Sequence, residues 1–180
     1  MTDRLGPLEF TNGEWAIGDL GGDHLRLSRA GLSHQVQGVE AQWIAWSRVV
    51  GIVLSVQPLR RDHSKKLRKA AVMLSWLGAP TDHVGLPASI KVLTRSPYEE
   101  LSADFTHHAH RYPRREIAAA GMLLDEVVAS GRVTRLGDAD WLTAVVRELS
   151  GHRYGSRATF PRKRAIKEAL DACNSSSPAR

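Results

Sequence analysis

Three imidazoles fall within four residues at His107, His108 and His110, the densest group of metal-capable or proton-transferring side chains in the chain. Neutral imidazole ligates divalent metals and titrates near neutral pH, so this spacing raises ion binding and acid–base chemistry together. On an extended strand, His108 and His110 would share a face. Metal sites usually take ligands from separated segments, however, and Asp104 and Glu116 are merely close, at no spacing of a known motif. The expected arrangement is therefore a strand end whose histidines face solvent or satisfy backbone carbonyls, with no metal and no cofactor.

Other chemical signatures are missing from the sequence. It holds no Gly-Lys-Ser/Thr phosphate loop, no Gly-x-Gly-x-x-Gly, no His-Glu-x-x-His and no Gly-x-Ser-x-Gly. The pair Asp138-x-Asp140 stands where a helix N-terminus favours negative charge, a structural role that accounts for it. The single cysteine, Cys173, excludes an internal disulfide and a cysteine-rich zinc site, and belongs on the apolar stripe of a terminal helix. A non-enzymatic protein is expected. Acidic residues interrupt the N-terminal stretch, which lacks a basic-then-apolar leader pattern, and no run approaches the roughly 20 apolar residues of a membrane span. These features suggest a cytoplasmic protein, with the membrane periphery as one site of action.

Charge is distributed unevenly. The chain carries a formal net charge of +6. Between Gln57 and Ala70, Arg60, Arg61, Lys65, Lys66, Arg68 and Lys69 face Asp62 alone, and between His152 and Arg180 seven cations, among them Arg162, Lys163, Arg164 and Lys167, face Glu168 and Asp171. The remainder is net acidic. Clustered cations create a local potential that dispersed ones do not, so these ten named residues are the candidate anion-binding groups. A solvated loop and tail would carry the same charges without any partner.

The elements that must position these groups are mostly short strands. Residues 1–12 show little periodicity, and Asn12-Gly13 signals a turn, so ordered structure is expected from about Glu14. Trp15 and Ile17 alternate, Gly21-Gly22-Asp23 turns the chain, and Leu25 and Leu27 share one face of the next strand. Leu32 to Gln37, Gln42 to Trp46 and Val49 to Val56 follow, with Trp43, Ile44 and Trp46 expected to supply core surface. Ser89 to Thr94 and Glu100 to Phe105 read as a hairpin joined by Arg95-Ser96-Pro97-Tyr98. Such a meander disfavours a parallel nucleotide-binding sheet.

The run Leu25-x-Leu27-x4-Leu32, then a turn, then Ile44-x-Trp46-Ser47-x-Val49-x-Gly51-x-Val53 resembles the first half of bacterial pleckstrin-homology-like (PH-like) domains. Ala45 stands where that family commonly has proline. The resemblance covers about residues 14 to 130 and implies an α+β fold: an antiparallel PH-like β-barrel or roll closed by a C-terminal helix, here followed by two short helices. Pro113 opens the candidate closing helix, which runs to Ser130 with Gly131 at its end. Asp138 caps a second helix and Pro161 opens a third. The implied organisation is a barrel with its helix over 14–131, a helical extension over 132–173 and a disordered tail over 174–180.

Residues 64–77 admit two readings. Ser64 as N-cap, Leu67, Ala71, Leu74 and Leu77 on one face and Gly78 with Pro80 as a stop favour a helix, although Ala70 to Leu77 is also a plain apolar run that a strand could use. Four cations at that helix start would oppose its macrodipole, at a few tenths to about 1 kcal/mol each. A basic start followed by Val72, Met73, Leu74, Trp76 and Leu77 also suits a segment lying on anionic lipid, although the same apolar side chains suit a core. Two functional classes follow: a binding or adaptor module engaging an anionic lipid surface or a protein partner through its basic segments, or a nucleic-acid-associated protein whose basic terminal helix contacts phosphates.

Overall fold

The computed structural model describes residues 3–57, 88–96, 99–108, 110, 112–151 and 163–175. Among the described residues, nine antiparallel strands and three α-helices make an α+β fold. Strands β1 (Arg4–Leu5), β2 (Leu8–Thr11), β3 (Glu14–Ile17), β4 (His24–Leu27), β5 (Gly31–Val36) and β6 (Val39–Ala45) form one sheet in sequential order. Strands β7 (Val49–Val56), β8 (Ala88–Thr94) and β9 (Glu100–Asp104) form a second. Helices α1 (Arg114–Ala129), α2 (Ala139–Gly151) and α3 (Lys163–Ser175) complete it. The segment 64–77, and with it the choice between helix and strand, lies outside the described residues.

Local chemistry explains the hairpins. Asn12 and Gly13 both take positive φ, 53° and 84°, as a two-residue turn between Thr11 and Glu14 requires. In the second sheet, Ile52, Ile90, Val92, Leu101 and Ala103 point into the core, while Val53, Lys91, Leu93 and Glu100 face outward. The hairpin of β8 and β9 matches the sequence expectation.

Two expectations need correction. Ordered structure begins at Arg4, not Glu14: β1 pairs with β2, and Leu5 and Leu8 are fully buried. A bidentate contact, Arg147 Nε and Nη2 to the two Asp3 carboxylate oxygens at 2.8 Å each, ties this start to α2. Hydrogen bonding from Arg147 holds the Asp3 carboxyl below its ordinary 3.8. Trp43 is the second correction, because it is 47% exposed while Ile44 and Trp46 are buried. Successive strand residues point to opposite faces, so Trp43 and Ile44 cannot both enter one core from β6.

The two ladders are not closed into a barrel. They meet at two corners instead. At one corner the chain passes from β6 through a 3-10 turn, Trp46–Arg48, into β7, and the Arg95 N–H donates to the Arg48 carbonyl at 3.0 Å. At the other, the chain leaving β9 crosses the β3–β4 turn. The Thr106 N–H donates to the Asp23 carbonyl at 2.7 Å, the Thr106 carbonyl accepts from the Asp19 N–H at 2.9 Å, and the Thr106 hydroxyl accepts from the Asp23 N–H at 3.1 Å. Gly22 lies so close that a Cβ there would meet Thr106 Oγ1 at 2.5 Å.

The helices share the core of the sheets. Helix α1 packs on β7 and β1, and it buries Ala119, Ala120, Leu123, Leu124 and Val127. Its end is a Schellman cap: the Arg132 N–H donates to the Val127 carbonyl and the Gly131 N–H to the Val128 carbonyl. Helix α2 starts at Asp138, whose Oδ1 accepts from the Trp141 N–H at 3.1 Å. The Trp15 indole N–H reaches the Ala139 carbonyl and Thr143 Oγ1, both at 3.2 Å, which pins α2 to the first sheet. Ile166, Ala169 and Leu170 bring α3 into the same cluster, with Cys173 at its edge as expected.

A second 3-10 turn, Val133–Gly137, presses on the β4–β5 connection. A Cβ at Gly137 would sit 2.1 Å from the Ser28 carbonyl oxygen, which also accepts the Trp46 indole N–H at 2.7 Å. The Ser28 carbonyl cannot retreat without straining that bond, so the turn carrying Gly137 would have to move. Gly137→Ala is expected to lose about 2–3 kcal/mol of unfolding free energy in urea titration; an unchanged midpoint would show that the turn is free to shift.

Candidate functional site

The histidines lie just beyond β9, not within a strand. Thr106, fixed on the β3–β4 turn, directs the next residues toward the outer half of β2, where Glu9 stands. His108 Nε2 lies 3.0 Å from Glu9 Oε2. On its other side, His108 Nδ1 is 2.5 Å from Tyr112 Oη, and the backbone N–H of His108 donates to the same oxygen at 2.9 Å. Tyr112 is buried, while Glu9, His108 and His110 are half-buried.

Burial is the largest influence on His108, and it lowers the imidazole below its ordinary 6.5 against the opposing pull of Glu9 and Asp19. Around neutral pH the ring is therefore neutral and carries one proton. A carboxylate can only accept, so that proton belongs on Nε2 facing Glu9, and the Tyr112 hydroxyl donates to Nδ1. Tyr112 then both donates to the ring and accepts from the backbone. Its phenol is pushed up to about 12, chiefly by burial and further by the Glu9 and Asp19 charges. Such a weak acid supplies no phenolate near neutral pH. As a Tyr112–His108–Glu9 chain the network holds a proton in place and offers no nucleophile.

The aromatic rings are layered. His108 and His110 stack with centroids 4.9 Å apart, and Tyr112 meets both edge-on at 5.7 and 5.4 Å. His107 stacks on Tyr112 at 5.7 Å. These contacts replace the expected solvent-facing or carbonyl-bonded histidines, because Tyr112 and Glu9 supply better partners. A carboxylate oxygen of Glu9 and one ring nitrogen each from His108 and His110 lie within 4.8 Å of one another. Asp104 and Glu116, the carboxylates nearest in sequence, are not members of that group.

An open groove lies along the β2–β4 strands of the first sheet. Thr11, Asn12, Glu14, Ala16, Leu20, His24 and Arg26 line it. Register places Glu9 opposite Ala16, and Ala16 opposite Arg26, so Glu9 shares the face of the sheet that this groove occupies. Arg26 closes one side through a bidentate contact with Glu14 at 2.7 and 2.8 Å.

The cationic residues are placed unequally. Arg60, Arg61, Lys65, Lys66, Arg68, Lys69 and Arg162 lie outside the described residues. Lys163, Arg164 and Lys167 are exposed on α3, and each has a carboxylate of this chain beside it. Lys163 and Lys167 both reach Glu126 on α1, at 3.4 and 3.5 Å, and Arg164 meets Glu168 at 2.7 Å. Glu126 itself is only 8% exposed. Neither Glu9 nor Tyr112 is a candidate site residue from the sequence. No spacing signal joins Glu9 to the histidines, whereas a tyrosine four residues after His108 was visible and had no motif to give it meaning.

Tyr112→Phe removes the acceptor of the half-buried His108 N–H and the donor to its ring. The variant is expected to unfold about 1–3 kcal/mol more easily in urea, and equal stability would show that water replaces the hydroxyl. Comparison with protein-family models, curated proteins and solved structures gives no match for this chain.

Proposed function

We propose that this chain is a non-catalytic binding module of the PH-like kind, which engages an anionic lipid surface through its 60–69 cationic segment. The observation that carries this reading is the pairing of Val56 with Ala88. The chain leaves the second sheet at β7 and returns on the neighbouring strand directly opposite. The sequence between these two paired residues carries Arg60, Arg61, Lys65, Lys66, Arg68 and Lys69. Six cations within ten residues of sequence, against Asp62 alone, favour an anionic partner.

The meander of antiparallel strands followed by a helix packed on β7 also supports the PH-like reading, together with the Trp46-Ser47-x-Val49 step. Among the described residues no helix is long and apolar enough to cross a membrane. Contact with a bilayer would then be peripheral, each cation near an anionic surface contributing about 1 kcal/mol.

The nucleic-acid alternative loses weight on α3. Lys163 and Lys167 lie 3.4 and 3.5 Å from the nearly buried Glu126, so a phosphate would compete with that carboxylate for them. Ile166, Ala169 and Leu170 are core residues, so α3 is first a structural helix.

Reversing charge at Lys65, Lys66, Arg68 and Lys69 together is expected to weaken co-sedimentation with phosphatidylserine vesicles by at least about a hundredfold while the circular dichroism spectrum stays unchanged. Arg162→Gln with Arg164→Gln should leave vesicle binding intact. Failure of the parent protein to sediment with these vesicles at low salt would refute the lipid reading, and strong retention of random duplex DNA lost in the Arg162/Arg164 variant would favour the alternative.

A further inference from the structure

We propose that Glu9, His108 and His110 form a binding site for one divalent transition-metal ion of the Zn²⁺ class. The ligand atoms come from two separated parts of the chain, β2 and the segment after β9, as the compact sites of such ions generally require. They lie within 4.8 Å of one another. The edge of a tetrahedron with zinc–nitrogen bonds of about 2.0–2.1 Å measures about 3.3 Å, so inward movements of about an ångström would complete the site.

Three further observations point the same way. First, His110 Nε2 is buried and has no hydrogen-bond partner. An orphaned nitrogen in a half-buried cluster loses solvation with no return, and a bound cation would supply the missing interaction. Second, the far nitrogen of His108 is already held by Tyr112, the kind of outer contact that fixes ring orientation in metal-bound histidines. With the ion on Nε2, the ring proton moves to Nδ1 and the Tyr112 oxygen accepts it. Third, Glu9 shares the sheet face on which Ala16 and Arg26 line an open groove, so its carboxylate is on a solvent-facing side of the sheet.

The donor set narrows the ion. Two imidazoles and one carboxylate suit Zn²⁺, Co²⁺, Fe²⁺ or Mn²⁺, whereas Ca²⁺ and Mg²⁺ favour all-oxygen sites. Three protein ligands leave at least one position for water or a small anion from the groove.

Titration of the full-length protein with Zn²⁺ by calorimetry tests the site. One equivalent is expected to bind with saturation, Co²⁺ should give the intense visible bands of a low-symmetry complex, and Zn²⁺ should raise the melting temperature. His110→Ala and Glu9→Gln should each weaken Zn²⁺ binding at least tenfold, whereas Cys173→Ser should not change it. In case Glu9→Gln disturbs the fold, the imidazole NMR signals of His108 and His110 in the parent provide a second readout, expected to shift together at one equivalent. No saturable binding, binding that survives both ligand variants, or shifts confined to other histidines would overturn the proposal. Vesicle binding is measured separately, so either reading can fail alone.

Discussion

Three hydrogen bonds from one residue, Thr106, join the two sheets at the corner where no strand ladder does so. Its amide, carbonyl and hydroxyl all engage the turn of residues 19–23, and the neighbouring Phe105 N–H donates to the Ala88 carbonyl in the second sheet. The residue is thus held from both sides. Thr106 itself is exposed and Asp19 and Asp23 are half-buried, so each bond contributes about 0.5–1.5 kcal/mol and the three together fix the path of the chain. Everything downstream inherits that path: His108 can meet Glu9 only because Thr106 is fixed two residues earlier.

Two tryptophans fix further contacts between elements. Trp15 and Trp46 are both almost fully buried, and each spends its indole N–H on a carbonyl that belongs to a different element. A large apolar ring excludes water while its one donor sets orientation, which is why these rings fix both position and angle. Trp15 sets α2 against the first sheet, and Trp46 sets the β6–β7 corner against the β4–β5 turn. Gly137 completes the second contact by bringing backbone against backbone. Charge plays a smaller part here: Asp3 with Arg147 and Glu126 with its two lysines guide the helices at the surface of a core that is otherwise apolar.

Much of this architecture was legible in the sequence wherever a regular period and a turn residue occurred together. Leu25 and Leu27, Asn12-Gly13, the Ser89–Phe105 hairpin and the three helices with Gly131 and Asp138 at their ends all follow from local chemistry. Residues 4–11 did not show themselves, because strands of two and four residues around Gly6-Pro7 are too short to display a period. Trp43 misled because its size suggested burial, while its position next to Ile44 on one strand required the opposite face. The pairing of Glu9 with His108 was out of reach for a different reason. It depends on a tertiary crossing with no local signature, and the carboxylates considered in its place were those close in sequence.

Native-state hydrogen exchange at the amides of Asp19, Asp23 and Thr106 tests most directly whether this corner holds the two sheets and the histidine cluster together. All three donate within the Thr106 lattice. If it bears that role, they exchange as slowly as the β4 amides of Leu25 and Leu27, through opening of the whole core. Exchange at the rate of an open loop, with the β4 amides still protected, would contradict the account and leave Glu9 and His108 as neighbours by chance.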